Sequence, residues 1–404
     1  MDMSNPPSNP LDDSNARHRH LGDWLVDGSL YLRRKICHTD WTSPQQAPST
    51  SSVDQDSLEL KEVLYNRIHS YILPLLHHQL TTLSLLLDGL PTEPESVMKQ
   101  MLQIQPEIDY NLTQMKAAID VICPDSLSYQ ADDQQLKQFK IYRLVELRKM
   151  LRQLETPYTC SVLNAASEHI DAMGFSTTSR FENGEAYTYR HATLHTLDWI
   201  GRTVTHLTGS ELDVAGNTWR DSMLSIDQEL DNIVNMFKST PHSPDHRGTH
   251  RRNLVREPVI QLAKLAIPVM KLSKLFFIKL SRAGMNRKLV SPFTDMKSNQ
   301  LACLCQCAGK VASCISLLLD FFSEADATDG APANPANSEN IIVIVETVAT
   351  SFVTPMDLVV DYLVPLVPET GGLPNQNYYK DWLVTWNTQL LLAIHNCIQC
   401  AANI

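Results

Sequence analysis

From residue 56 to residue 400 the apolar side chains recur at three- and four-residue spacing in nearly every segment, and that rhythm leaves little but α-helix to build with. Glycine is sparse, at 14 of 404 residues, and β-branched residues rarely run together. The one such run, Ile-Ile-Val-Ile-Val at 341–345, would suit a strand in isolation. No partner strand is visible elsewhere, so it is read as helix. The expected fold class is all-α: long, Pro-kinked, amphipathic helices packed as two adjoining helical bundles.

The spacing predicts a first helix over 56–88, kinked at Pro74, and a second over 94–122. Pro94 suits the start of the second helix, Pro124 lies beyond its end, and Pro106 inside it implies a kink or break. Further helices are predicted near 132–155, 187–208 and 216–238, then 254–283, 295–323, 339–364 and 377–400. Residues 1–54 read as a mostly disordered tail, because their Ser/Pro/Asn-rich flanks offer too little apolar surface to offset ordering entropy. Within the tail, 21–36 carries Leu21, Trp24, Leu25, Leu30 and Leu32 and reads as a short docking segment or a strap on the chain's own core. The bundles are expected at 55–240 and 254–404, joined by a His/Pro/Arg-rich linker at 241–253.

The first residues, Met-Asp-Met-Ser-Asn-Pro-Pro, show neither a basic n-region nor an apolar h-region, so a secretory leader is not expected. The nine cysteines then read as thiols in a reducing compartment, cytoplasm or nucleus. Two charge-free stretches, 68–87 and 382–404, carry polar residues at helical spacing and read as core helices rather than membrane spans.

Motifs with chemistry are scarce. Cys303, Cys305 and Cys307 stand two apart, and a helix does not converge three such sulfurs on one zinc ion. They read as small core residues. His191, His195 and Asp198, at i, i+4 and i+7, put two imidazoles and a carboxylate on one helical face. A metal could use that spacing, but the residues lack the glutamate of the H-E-x-x-H hydrolase motif and read as ordinary surface or interface polar residues, with a metal site as the alternative. No nucleophile elbow, phosphate loop or dinucleotide fingerprint is present. No catalytic residue and no cofactor is therefore assigned.

The most distinctive feature is electrostatic. Residues 247–288 hold eleven Lys/Arg and one acid, Glu257, a local +10 in a chain of net −11. On a helix from 254, Arg256, Lys264, Lys271, Lys274, Lys279 and Arg282 fall within an arc of about 140°. Leu262, Leu265, Val269, Leu272, Leu275, Phe276, Phe277 and Leu280 are expected opposite them, against the core. Two readings compete: the stripe is neutralised by acidic helices of the same chain, or it docks an acidic partner. Arg251, Arg252, Lys271 and Lys274 are the candidate partner-binding residues.

Three stretches carry a resemblance: 259–288 (VIQLAKLAIPVMKLSKLFFIKLSRAGMNRK), 293–311 (FTDMKSNQLACLCQCAGKV) and 373–398 (LPNQNYYKDWLVTWNTQLLLAIHNCI). With LHHQLTTLSLLLD, IQPEIDYNLTQ and ICP at 76–124, they resemble an expanded family of uncharacterised all-helical proteins of rust fungi. The likeness runs from about 58 to 400. It implies a helical fold and brings no catalytic residues with it. A more distant likeness, in architecture alone, is to cyclin-D-interacting helical proteins with vinculin-like bundles.

The sequence thus points to a non-enzymatic interaction or scaffold protein with an acidic protein partner and no membrane span. The alternatives are a metal-binding or enzymatic bundle around His191, His195 and Asp198, and capture of an anionic lipid or nucleic acid by 247–288. The net negative charge disfavours nucleic acid as the main partner.

Overall fold

The computed structural model describes residues 10–38, 55–123, 132–177, 188–237, 253–281, 284–327, 335–369 and 374–403, and among them every regular element is helical. The chain divides into two compact units: Met1–Ser128 with Arg143–Thr208, and Tyr129–Tyr142 with Gly209–Ile404.

The first unit is built from α1 (Pro10–His38), α2 (Gln55–Arg67), α3 (Leu73–Gly89), α4 (Pro94–Ile122), most of α5 (Ile141–Gln153), α6 (Cys160–Ala172) and α7 (Tyr189–Thr208). Much of the expected tail is α1, packed on α4 and α6 through Leu25, Val26, Leu32 and Ile36. The apolar 21–36 segment is thus part of a helix of its own unit, with Leu25 and Leu32 buried and Trp24 54% exposed; 1–9 and 39–54 lie outside the described residues. Two contacts hold α1 in register. Gln105 Nε2 donates to Leu25 O and to Ser29 Oγ, both at 2.9 Å. At Gly22 the Phe175 carbonyl comes so close that a Cβ would sit 1.8 Å from its oxygen, which only glycine allows.

Proline shapes the helices in two ways. Just before Pro74 a π-helical turn, Ile68–Ile72, separates α2 from α3. Leu73 N–H reaches back five residues to Ile68 O, and the wider turn makes room where a proline cannot donate. A second π-turn, Leu154–Thr159, contains Pro157, and a third, Val359–Leu363, precedes Pro365. Pro106, by contrast, sits inside a continuous α4. In this unit His206 is 2% exposed, its Nε2 2.8 Å from Arg143 O, while Arg143 Nη2 donates to His206 O at 2.7 Å.

The second unit contains α8 (Glu211–Asn235), α9 (Glu257–Leu280), α10 (Ser298–Ala327), α11 (Pro335–Leu358) and α12 (Gln376–Ala401). The chain divides at Thr208/Gly209, well before the expected linker. The cause is α8, whose Trp219, Ile226 and Ile233 are buried and which packs chiefly on α10. Trp219 Nε1 donates to Leu304 O at 3.1 Å. α8 begins five residues earlier than the spacing suggested because Ser210 and Asp213 form a reciprocal capping box. Residues 241–252 of the expected linker lie outside the described residues.

α10 lies at the centre of this unit, against α8, α9 and α11. α10 and the helical stretch Ser338–Leu366 are each long and apolar enough to cross a bilayer, and half and a third of their most apolar stretches are buried inside the protein. Both pack as core helices. Residues 341–345 are helical, with Ile341 and Val345 buried one turn apart. Phe276, Phe352 and Trp386 meet at centroid distances of 4.8–5.2 Å, within the favoured range for aromatic pairs.

The expected helix over 132–155 is broken. Lys137 takes φ 48°, and a 3-10 segment, Gln134–Phe139, precedes α5. The break turns Asp133 and Lys140 inward. Lys140 Nζ reaches Glu211 Oε1 at 2.5 Å and Thr294 O at 2.7 Å, with both charged side chains essentially sealed from solvent. Glu211 also accepts from Thr294 N–H at 3.1 Å and from its hydroxyl. Asp133 caps two helix starts, accepting from Ile141 N–H at 2.8 Å and Ser298 N–H at 2.9 Å. These bonds supply the partners that buried charges need.

Candidate partner-docking face

α9 starts at Glu257-Pro258, where the missing proline N–H costs nothing. Ahead of it, Val255 and Arg256 N–H both donate to the Asp326 carboxylate, at 2.9 and 2.7 Å, and Arg256 Nη1 donates to Ala325 O at 2.6 Å. The inward face, including Leu262, Ala266, Val269, Phe276, Phe277 and Leu280, is buried against α8, α10 and α12. Trp386 Nε1 ties α12 to Leu272 O at 2.8 Å.

The basic stripe divides in two. Lys274 is half-buried and ion-paired with Asp227. Lys279 donates to Tyr378 Oη at 2.6 Å and lies 4.4 Å from the centre of that ring and 5.2 Å from that of Trp382. Arg256 is engaged at the helix start. Lys264 and Lys271 are exposed and have no ion-paired or hydrogen-bonded partner among the described residues. Arg251, Arg252 and Arg282 lie outside the described residues.

Leu275 corrects the sequence reading. It was expected on the core side but lies within the basic arc, where it is 43% exposed, and Ile278 beside it is 41% exposed. The exposed positions Lys264, Pro268, Lys271, Leu275 and Ile278 are spaced 4, 3, 4 and 3 apart. That spacing is the seam a helix presents to another helix. Proline at 268 has no N–H for the Lys264 carbonyl, and because Pro268 faces solvent, water can satisfy that oxygen. The mixture of two free cations with an apolar tip was not visible from charge alone.

The other candidates resolve differently. His191 and His195 do meet, with Nε2 atoms 3.1 Å apart and ring centroids at 4.3 Å. They border a cleft of about 340 Å³ lined also by Gln153, Pro157, Tyr158 and Ser161. One ring nitrogen donates to the other. Asp198 is exposed further along the same helix, and no group of three or more metal-ligating side chains forms among the described residues. All nine cysteines are free thiols. Cys305 and Cys307 are both buried in α10, and Cys307 Sγ donates to Ser351 O at 3.3 Å. Burial pushes the thiols of Cys123, Cys307 and Cys397 up to about 12. An aromatic disulfide reagent should therefore label exposed Cys37 within seconds and these three only on unfolding, as peptide mapping after timed quenching will show. Fast native labelling of Cys307 would contradict the packing of α10.

Fold and face together define an all-α protein of two helical units, the second carrying an amphipathic basic ridge. Residues 61–208 match a family model described as Domain of unknown function (DUF8723), and residues 210–399 match another, Domain of unknown function (DUF8721). Their shared limit coincides with the break between the two units. No curated protein and no solved structure matches the chain.

Proposed function

We propose that this is a non-enzymatic interaction protein of the reducing interior of the cell, and that the ridge on α9 receives an acidic amphipathic helix of a partner protein. Membership of the rust-fungal helical family is part of the same reading and rests on the stretches quoted above. The carrying observation is the 4-3-4-3 exposed seam in which Lys264 and Lys271 stand beside Leu275 and Ile278. Leucine and isoleucine supply apolar contact area, and the two lysines select a partner with acids flanking its own apolar stripe. Free thiols at all nine cysteines support the compartment.

The test is a charge reversal, Lys264→Glu with Lys271→Glu. Both side chains are exposed, so the melting temperature should hold within a degree or two. Capture of the partner, detected by cross-linking and mass spectrometry in native extract, should fall at least tenfold. Wild-type capture should weaken as salt rises, since exposed charges are screened over about 8 Å at physiological ionic strength. Retention of the same partners by the folded double variant would reject the ridge as the docking face. Binding to anionic vesicles in place of any protein would reject a helical partner.

A further inference from the structure

The first unit contains a second cleft, of about 330 Å³, between the α2–α3 segment and α4. That volume is at the small end of the range for ligand pockets, about 300–1,000 Å³. One wall carries Arg67, Tyr71, Leu75 and Gln79, and the other carries Glu107, Tyr110, Asn111 and Gln114. Along an unbroken α-helix, residues twelve apart such as Arg67 and Gln79 would be rotated by about 120°. The π-turn at Ile68–Ile72 takes back part of that rotation and holds the four residues on one wall.

The floor is polar and incompletely used. Gln79 and Asn111 are 4% and 3% exposed. Asn111 Nδ2 donates to Ile72 O at 3.0 Å, which sets which end of its amide is nitrogen. The same Nδ2 donates to Gln79 Oε1 at 3.3 Å, which sets the second amide in turn. Two groups remain, the Gln79 Nε2 donor and the Asn111 Oδ1 acceptor, and neither has a partner among the described residues. Neither atom is sealed from the cleft, so both are open to a ligand or to water. Two aromatic residues also line the cleft, one on each wall: Tyr71 and Tyr110, 57% and 64% exposed. At the rim, Glu107 adds negative charge, and Arg67 is held by Gln114 Oε1 at 3.3 Å.

We infer that this cleft binds a small, flat, neutral carboxamide. Its carbonyl accepts from Gln79 Nε2, its N–H donates to Asn111 Oδ1, and its ring lies between Tyr71 and Tyr110. A carboxylate of the same shape is disfavoured at the floor, because it would set an anionic oxygen against the Asn111 acceptor, and the Arg67 and Glu107 charges offset each other at the opening. A ketone of the same shape leaves Asn111 Oδ1 unpaired. A site built around such hydrogen bonds discriminates strongly against ligands that cannot make them.

The test uses the full chain and three probes, benzamide, benzoate and acetophenone, followed by ligand-observed NMR at millimolar concentration. Benzamide should bind at least tenfold more tightly than the other two. Gln79→Met conserves volume and removes the donor, and it should erase that preference. Tyr110→Ala, at an exposed position, should weaken benzamide binding several-fold with an unchanged melting temperature. Equal binding of the three probes, or no binding by any, overturns the assignment. So does wild-type affinity for benzamide in either folded variant, and Tyr110→Ala decides the matter if Gln79→Met does not fold.

Discussion

Glu211→Ala is expected to lower stability by about 3–5 kcal/mol, the usual cost of stranding one member of a buried ion pair. The carboxylate is 1% exposed and holds both Lys140 Nζ and the Thr294 backbone. Removing it leaves an ammonium in the interior with only the Thr294 carbonyl at 2.7 Å for company. The loss will be read as a lower denaturant midpoint for the transition that buries Trp219, with tryptophan fluorescence as the probe. Lys140→Met with Glu211→Leu should restore part of the loss, because it removes the stranded charge but leaves the Thr294 N–H and carbonyl without these partners. A loss under 1 kcal/mol in the single variant would mean that the Lys140 ammonium escapes to water, contrary to its complete burial.

Acid should act on the first unit through His206. Burial, reinforced by the Arg143 guanidinium beside it, holds this imidazole down at about 3 instead of 6.5. In the unfolded chain it takes up a proton below 6.5, whereas the folded chain keeps it neutral. Stability is therefore complete above pH 6.5 and is lost as pH falls toward 3, at about 1.4 kcal/mol per pH unit. By pH 5 the loss from this one group is about 2 kcal/mol. Few carboxylates titrate between 6.5 and 5, but His69 and His169, which burial also pushes down, share the window, so His206 is read by difference. Thermal melts across it should show a falling midpoint in the wild type and a clearly shallower fall in His206→Gln, the remainder coming from His69 and His169. Parallel slopes in the two proteins would show that His206 is accessible to protons in the folded state.

The helical framework was legible in the sequence because it rests on local physics. Pro94 opens α4 where a proline belongs, and the 341–345 run is helical because Ile341 and Val345 share a buried face. What stayed hidden was long-range or depended on a change of pitch. Lys140 and Glu211 lie 71 residues apart, and each reads as an ordinary solvated charge until a positive φ at Lys137 turns the segment inward. Leu275 reads as core on hydrophobicity, although its angle already lay within the basic arc. The wall from Arg67 to Gln79 is disguised because its register depends on a π-turn, which periodicity at 3.6 residues per turn does not capture. Spacing put His191, His195 and Asp198 on one helical face; the contact between the two imidazoles and the cleft beside them came from the structure.

The placement of Tyr129–Tyr142 bears on how the protein is cut and made. A fragment trimmed to the second family match, 210–399, retains Glu211, Thr294 and Ser298 but loses Asp133 and Lys140. Such an expression product would bury a carboxylate stripped of its counter-ion, and poor yield from it would say nothing about the intact chain. A ribosome faces the same constraint in time. Asp133 and Lys140 emerge more than 150 residues ahead of Ser298 and Thr294, so the second unit cannot close until its last partners leave the exit tunnel. A short tethered copy of 129–142 ahead of residue 209 is the economical way to carry that unit into crystallisation trials.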